Sequence, residues 1–441
     1  MTLLRRRGRP APRFFRAVRG LAAANLINVM CSAITSPLVA RTVGPRGRGE
    51  IAAVFAFVTI APMVSELGLI NYLTRERARG EIPKGRLVGS IIPVAVGAAI
   101  CVALCGIPIA HLIGHHRAEV VRLIEIALYV MPLAVLGGCA SAIAGAEGRW
   151  SLITRLQMAA YIVPTITLVM LALLGDLTVT TASYTYIGVG LACSLPILVV
   201  LRDARPLQMS GSVLKVGVPF GLRSWLSTIA ATGNLQLDQI LMAAMISSKQ
   251  LGWYALAATI GNLAGVAVNP ISTVLLPRVA GGDYKLMALS SRLGVAISFA
   301  FALPAAVTAP WTVPLIFGQP FRPSVMMFVI LVGASVIGAP CNILGTSLIA
   351  GGRPGVTARA QVVCLAVNVG GLLFVLHRWG ALGAAWVNLI ANCVLLAMVL
   401  PQAVKIFGVR WQRLLLLSRE DLRLFREQIR ARRGSLEADP A

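Results

Sequence analysis

The chain has 441 residues, 57% of them hydrophobic and 13% charged, with a mean hydropathy of +0.81. A soluble domain carries about 25% charged residues, so a chain this apolar reads as a membrane protein. The net charge of +24 would suit a nucleic-acid binder. No segment between the apolar runs is long enough for a folded basic domain, however, and no nucleic acid is expected as a partner.

Residues 1–19 form a basic tail that opens Met1-Thr-Leu-Leu-Arg-Arg-Arg-Gly-Arg-Pro. No short apolar stretch with a small-residue cleavage site follows it, so the first run is read as a retained span. Twelve apolar runs of near-membrane length follow. They start near Gly20, Ile51, Leu87, Val120, Ser151, Val179, Val213, Leu251, Leu286, Ser324, Val356 and Ala381. Lipid offers the backbone no partner but itself, so each run is expected to be a helix. Gly380 sits in a tight loop between the last two. The expected fold is all-α: an integral membrane protein with twelve transmembrane helices in two parallel six-helix bundles. The first bundle is residues 20–201 and the second 213–403, joined by a linker at 202–212. Residues 404–441 form a basic tail interleaved with Leu414–Leu417, Leu422, Leu424 and Phe425. It is expected to lie on the membrane surface against anionic lipids.

The basic residues set the orientation. Thirty-one of the 40 lie in segments on the side of the N-terminus. Eight lie opposite: Arg41, Arg46, Arg48, Arg117, Arg122, Lys249, Arg322 and Arg378. Cytoplasmic loops carry the excess of Lys and Arg, so both termini are expected in the cytoplasm.

The chain repeats itself. Gly148, Arg149, Arg155 and Gln157 recur 204 residues later as Gly352, Arg353, Arg359 and Gln361. The same offset carries Leu112-Ile113-Gly114 onto Ile316-Phe317-Gly318, and one residue less carries Gly49 onto Gly252. A fixed period marks a duplication. With six spans per half, the two halves enter the membrane in the same direction, an arrangement characteristic of transporters.

Polar residues within the runs are the candidates for a pathway, because lipid penalises them. Asn25, Asn28, Ser32 and Thr35 share one face of span one by their spacing. Arg223, Ser227, Asn234 and Asp238 share one face of span seven, and Asn262 and Asn269 lie on span eight. These stripes either line a central polar cavity or bond helix to helix. The cavity reading assigns Arg223, Asn25, Asn28, Ser32, Ser227, Asn234, Asn262 and Asn269 to substrate binding. Arg223 is placed near the cytoplasmic mouth. Asp238 and Glu66 are the carboxylates able to bind a coupling ion, with a structural pairing of Asp238 the alternative. At the inner ends, Arg75, Arg155, Gln157, Arg359 and Gln361 are candidates for a gate. Prolines such as Pro62 and Pro219 can kink their helices. Glu125 and Glu147 have no evident partner in the sequence. The eight cysteines fall inside apolar runs and read as small hydrophobes. His111, His115 and His116 lack accompanying thiols or carboxylates, so neither a metal nor a cofactor is expected.

Several stretches resemble a known family. They are Ser36-Pro-Leu-Val-Ala-Arg-Thr-Val-Gly-Pro-Arg-Gly-Arg-Gly-Glu, Ser65-Glu-Leu-Gly-Leu and Arg75. In the second half they are Gly217-Val-Pro-Phe, Leu237-Asp238-Gln-Ile, Leu251-Gly-Trp-Tyr-Ala, Leu276-Pro277-Arg, Phe317-Gly318 and Gly380-Ala-Leu-Gly-Ala-Ala. In order and spacing, over about residues 20–403, the chain resembles the polysaccharide (O-antigen type) flippases. These belong to the multidrug/oligosaccharidyl-lipid/polysaccharide (MOP) exporter superfamily. The resemblance implies a V-shaped pair of bundles. It implies alternating access in a bacterial cytoplasmic membrane, moving a polyprenyl-pyrophosphate-linked oligosaccharide outward. Other polysaccharide-assembly membrane proteins are possible partners. The lipid II flippase branch usually adds two C-terminal helices, and the multidrug branch typically has a carboxylate in its first helix. Neither feature is present here. A non-transporting scaffold for a glycan-synthesis complex is the remaining alternative, and no enzyme constellation is visible.

Overall fold

The computed structural model describes residues 12–113, 118–261, 284–350 and 353–415. Among them the regular structure is helical. In chain order the helices are α1 (Pro12–Ser65), α2 (Leu69–Arg79), α3 (Lys84–Ile113), α4 (Ala118–Ala146), α5 (Trp150–Leu174), α6 (Val179–Ser194), α7 (Gly211–Met245), α8 (Ser248–Gly261), α9 (Tyr284–Phe317), α10 (Ser324–Ala350), α11 (Pro354–Phe407) and the short α12 (Gln412–Leu415). Eight of the described helical stretches are long and apolar enough to cross a membrane. The protein is a multi-pass, all-helical membrane protein.

Two of those eight are folded back on a glycine. In α1 the break is Gly44, at φ 67° and ψ −175°, followed by Pro45. In α11 it is Gly380, at φ 53° and ψ −140°, the tight loop expected from the sequence. An L side chain resists positive φ, which is why each corner falls on glycine. The helices begin close to the expected runs: α6 at Val179 and α10 at Ser324, with α3, α4, α5 and α7 a few residues earlier. α1 begins at Pro12, well before the expected Gly20, and its second arm departs too. It resumes at Pro45 rather than Ile51, because Arg46–Glu50 extends the helix beyond the apolar run. The sixth run also departs. Its α-helix stops at Ser194 and continues as a 3-10 segment, Pro196–Ala204. Pro196 lacks the N–H that would continue an α-helix and crowds the preceding turn.

The chain forms two compact units. Unit 1 comprises Met1–Leu256 with Pro314–Arg322, and unit 2 comprises Ala257–Val313 with Pro323–Ala441. In unit 1, the repeated glycines meet. A Cβ on Gly49 would lie 1.8 Å from the Ser248 carbonyl oxygen, and one on Gly252 would lie 1.8 Å from that of Pro45. Each glycine abuts the carbonyl four residues before the other, a reciprocity that only bare backbones permit. The linker of unit 1 is tied down as well. The Gln208 N–H donates to the Gly85 carbonyl at 3.3 Å, and the Ser210 N–H donates to Ser90 Oγ at 2.9 Å. Unit 2 packs Ile343, Leu344 and Leu348 of α10 against Leu395, Val399 and Ala403 of α11, with Leu414 of α12 buried among them.

Candidate functional site

Unit 1 holds an interrupted helix. The helical chain of α1 and α2 breaks at Glu66–Gly68, where Leu67 has φ 47° and Gly68 φ 66°. Pro62 precedes the break within the last turn of α1. An unwound stretch within lipid must find partners for its freed carbonyls. α7 supplies them. The Trp225 indole Nε1–H donates to the carbonyls of Met63 and Val64 at 3.2 and 3.1 Å. Ser224 Oγ donates to the Gly68 carbonyl at 3.4 Å, and Asn71 Nδ2 donates to Ser224 Oγ at 3.4 Å. A Cβ on Gly68 would sit 2.2 Å from the Gly221 carbonyl oxygen, so backbone meets backbone here.

Glu66 occupies this joint. Its carboxylate lies beside Gly138 of α4, where an added Cβ would stand 3.4 Å from Oε1. Among the described residues no hydrogen bond or ion pair reaches it. Above it, an apolar cavity of about 160 Å³ lies between the second arm of α1, α4 and α6. Pro62, Ala134, Met131 and Tyr186 line it. Pro62 and Ala134 each stand one helical turn from the residues that frame the Glu66 carboxylate.

Arg223 is exposed on the same stretch of α7 that seats the joint. It lies twelve residues after the helix begins at Gly211, roughly 18 Å along the axis. Asn25 is exposed, Asn28 and Ser32 are half-buried, and Ser32 Oγ contacts Asn28 Oδ1 at 3.5 Å within α1. Thr35 bonds back to the Cys31 carbonyl at 2.9 Å. Nothing in the described structure joins these side chains to Arg223. Ser227 and Asn234 lie on α7, but their side chains are outside the described residues, as are Asn262 and Asn269 altogether.

Asp238 is different. It is 4% exposed. The Tyr254 hydroxyl of α8, itself fully buried, donates to Oδ2, and the Gln239 N–H donates to Oδ1 at 2.7 Å. The arrangement is the structural pairing weighed against ion binding, with a tyrosine rather than an arginine as partner. The sequence offered no cue to Tyr254, sixteen residues away on the next helix.

The segment from α2 to α3 and the loop between α4 and α5 hold a charge cluster that the sequence did not pair. Glu147, expected to lack a partner, accepts from Lys84 Nζ at 2.8 Å and from Arg77 at 3.0 Å. Arg149 Nε lies 3.0 Å from its other oxygen, close enough for an ion pair but not aligned as a hydrogen bond. Arg149 also reaches Asp203 of the 3-10 segment at 3.2 Å. Burial alone would raise the Glu147 pKa. The hydrogen bonds and charges of Lys84 and Arg77 outweigh it and hold the carboxyl below its ordinary range. Glu125 has a partner too: His111 Nε2 stands 2.7 Å from it. Of the gate candidates, Arg75 lies over the Phe220 ring at 4.7 Å and 3.6 Å from Glu76. Arg155, Gln157 and Arg359 are exposed, and Gln361 is half-buried. No groups of three or more His, Cys, Asp or Glu side chains suited to a metal occur among the described residues.

Long apolar helices, two of them folded at glycines, define a multi-pass membrane protein. A family profile described as "Polysaccharide biosynthesis protein" matches residues 16–281, more than half of the chain, and the chain belongs to that family. Solved structures share its fold. A lipid II flippase MurJ in an inward closed conformation aligns with a TM-score of 0.75 at 10% identity, covering 89% of each chain. An inward-facing multidrug resistance MATE family transporter of the MOP superfamily aligns at 0.68 and 14% identity, covering 88% of this chain and 98% of that one. The MATE multidrug transporter DinF-BH in complex with R6G aligns at 0.62 and 17% identity, covering 91% and 98%. No curated protein sequence matches.

Proposed function

We propose that the protein is a flippase, not an enzyme, that moves a polyprenyl-pyrophosphate-linked oligosaccharide across a bacterial cytoplasmic membrane. It works by alternating access and serves cell-surface polysaccharide synthesis. The observation that carries this reading, beside family membership, is Arg223. An exposed guanidinium with no partner among the described residues stands some 18 Å into α7. Such a charge is costly in lipid and is kept where it meets an anion or a wet cavity. A pyrophosphate fits its fork. Asn25, Asn28 and Ser32 offer amide and hydroxyl groups to sugars. The lipid tail stays in the bilayer. Both termini lie in the cytoplasm, on the basic side of the chain.

Two carboxylates were candidates for coupling, and Glu66 is the one we assign. Asp238 is occupied by Tyr254, whereas Glu66 is unpaired at a broken helix, a setting in which a proton or sodium ion can be exchanged. The alternatives within the superfamily are a lipid II substrate or a cationic drug. A mutant series in a glycan-export complementation assay tests the assignment. Arg223→Ala is expected to abolish export with normal membrane levels, and Arg223→Lys to keep part of it if the role is a point charge and none if the bidentate fork is required. Full export by Arg223→Ala removes the residue from the site. Drug resistance conferred by the intact protein, without complementation, would favour the multidrug reading.

A further inference from the structure

The repeated arginines Arg155 and Arg359 are not absorbed by this account. Each sits five residues after its helix begins, α5 at Trp150 and α11 at Pro354. Each is exposed, and no hydrogen bond or ion pair from the described residues reaches either guanidinium. Arg149, by contrast, is engaged by Glu147 and Asp203.

The faces that carry them are outward and apolar. In α5, Arg155 leads a stripe through Ile162, Ile166, Met170 and Leu173, spaced as one helical face. All are exposed, Leu173 to 79%. In α11, Arg359 leads the same stripe through Val363, Ala366, Gly370 and Phe374, all exposed, Phe374 to 85%. A row of exposed apolar positions on a membrane helix, large throughout on α5 and at Val363 and Phe374 on α11, faces lipid. An arginine at the end of such a row carries its head to the water–lipid boundary, where lipid phosphates are the anions at hand. Its depth of five residues is roughly 7.5 Å along the axis, within reach of the headgroup layer on the basic side of the chain.

We propose that Arg155 and Arg359 each hold the phosphate of an anionic phospholipid of the inner leaflet, with an acyl chain lying along the apolar stripe below. The guanidinium brings a fixed charge and N–H donors to the phosphate oxygens, and it is the charge that selects an anionic lipid. The positively charged inner face draws anionic rather than zwitterionic lipid. The duplication therefore places one lipid anchor on each unit, in the same register. The proposal does not depend on what the protein transports.

Native mass spectrometry of the full-length protein, with phosphatidylglycerol or phosphatidylcholine titrated into the detergent, tests it. The wild type is expected to retain phosphatidylglycerol in preference to phosphatidylcholine. Arg155→Gln and Arg359→Gln are each expected to lower that preference about fivefold at one site, the weight of about 1 kcal/mol per basic residue near an anionic surface. The double variant should lose both sites. Arg155→Lys, which keeps the charge and so guards against misfolding as the cause, is expected to retain most of the preference. Unchanged lipid selectivity in the double glutamine variant overturns the proposal. So does equal loss with lysine and glutamine at an unaltered melting temperature.

Discussion

Two carboxylate regions of unit 1 differ in how fully their side chains are paired. In the loop between α4 and α5, Glu147 is 11% exposed and is ringed by Lys84, Arg77 and Arg149. These reach it from the end of α2, the start of α3 and the loop before α5, so one carboxylate ties three segments. At the joint, Glu66 has no such ring, though the backbone around it is tightly held by α7. A saturated carboxylate stabilises one arrangement. An unsaturated one on a rigid, unwound backbone has free oxygens that a mobile cation can use. The comparison predicts that substitution at Glu147 lowers stability and that substitution at Glu66 alters transport.

The largest effect should come from the frame of the joint rather than from either carboxylate. Gly68→Ala forces positive φ on an L residue and drives its Cβ against the Gly221 carbonyl oxygen. The neighbour is backbone and cannot swing aside, so a loss of about 3 kcal/mol or more is expected, measured as a fall in melting temperature in detergent. Gly80→Ala is the control. Gly80 has φ 71° but open space around it, so only the conformational cost of about 1 kcal/mol should appear. Equal losses at the two positions would mean that α7 does not hold the joint.

Glu147→Gln comes next. It leaves Lys84, 8% exposed, and Arg77 facing each other without a counter-charge. A loss of about 2 kcal/mol is expected, tempered by the partial exposure of Arg77 and Arg149. Glu66→Gln should cost less than 1 kcal/mol and should abolish the dependence of transport on the ion gradient in vesicles. If Glu66→Gln transports with unchanged gradient dependence, Glu66 is not the coupling group and the contrast between the two regions is only structural. Tyr254→Phe acts on stability alone. It removes the hydroxyl from Asp238, and about 1 kcal/mol should be lost in the same melting assay.

Much of the frame could be read from the sequence because its causes are local. Apolar runs mark helices wherever lipid surrounds them, and Gly380 had to be a corner because a helix could not continue to either side of it across one membrane. Gly49 and Gly252 were linked by the repeat alone, and in space they abut. The partners were not legible. Tyr254 on Asp238, Trp225 on the Met63 and Val64 carbonyls, and Lys84 on Glu147 are contacts between helices, set by rotation and depth rather than by spacing. The 3-10 segment after Ser194 was signalled by Pro196, but hydropathy ran through it unchanged. Arg155 and Arg359 were noticed for their repetition and assigned to a gate. Only the exposed stripes below them favour lipid.

The charge cluster also carries a pH signature, the smallest of the expected effects. Glu147 has its pKa held below the ordinary glutamate value in the folded protein, whereas in the unfolded chain it returns to about 4.3. The folded state therefore binds the proton less readily than the unfolded state. The resulting stabilisation is complete above the unfolded pKa and is lost as pH falls through the folded one. Melting temperature is expected to be flat from neutral pH down to about 5 as far as Glu147 is concerned, and then to decline toward pH 3. Glu147→Gln cannot titrate, so its profile should start lower at neutral pH and fall less steeply in acid, the two curves converging. Parallel curves would show that Lys84 and Arg77 stabilise the cluster by packing, not through the charge of Glu147.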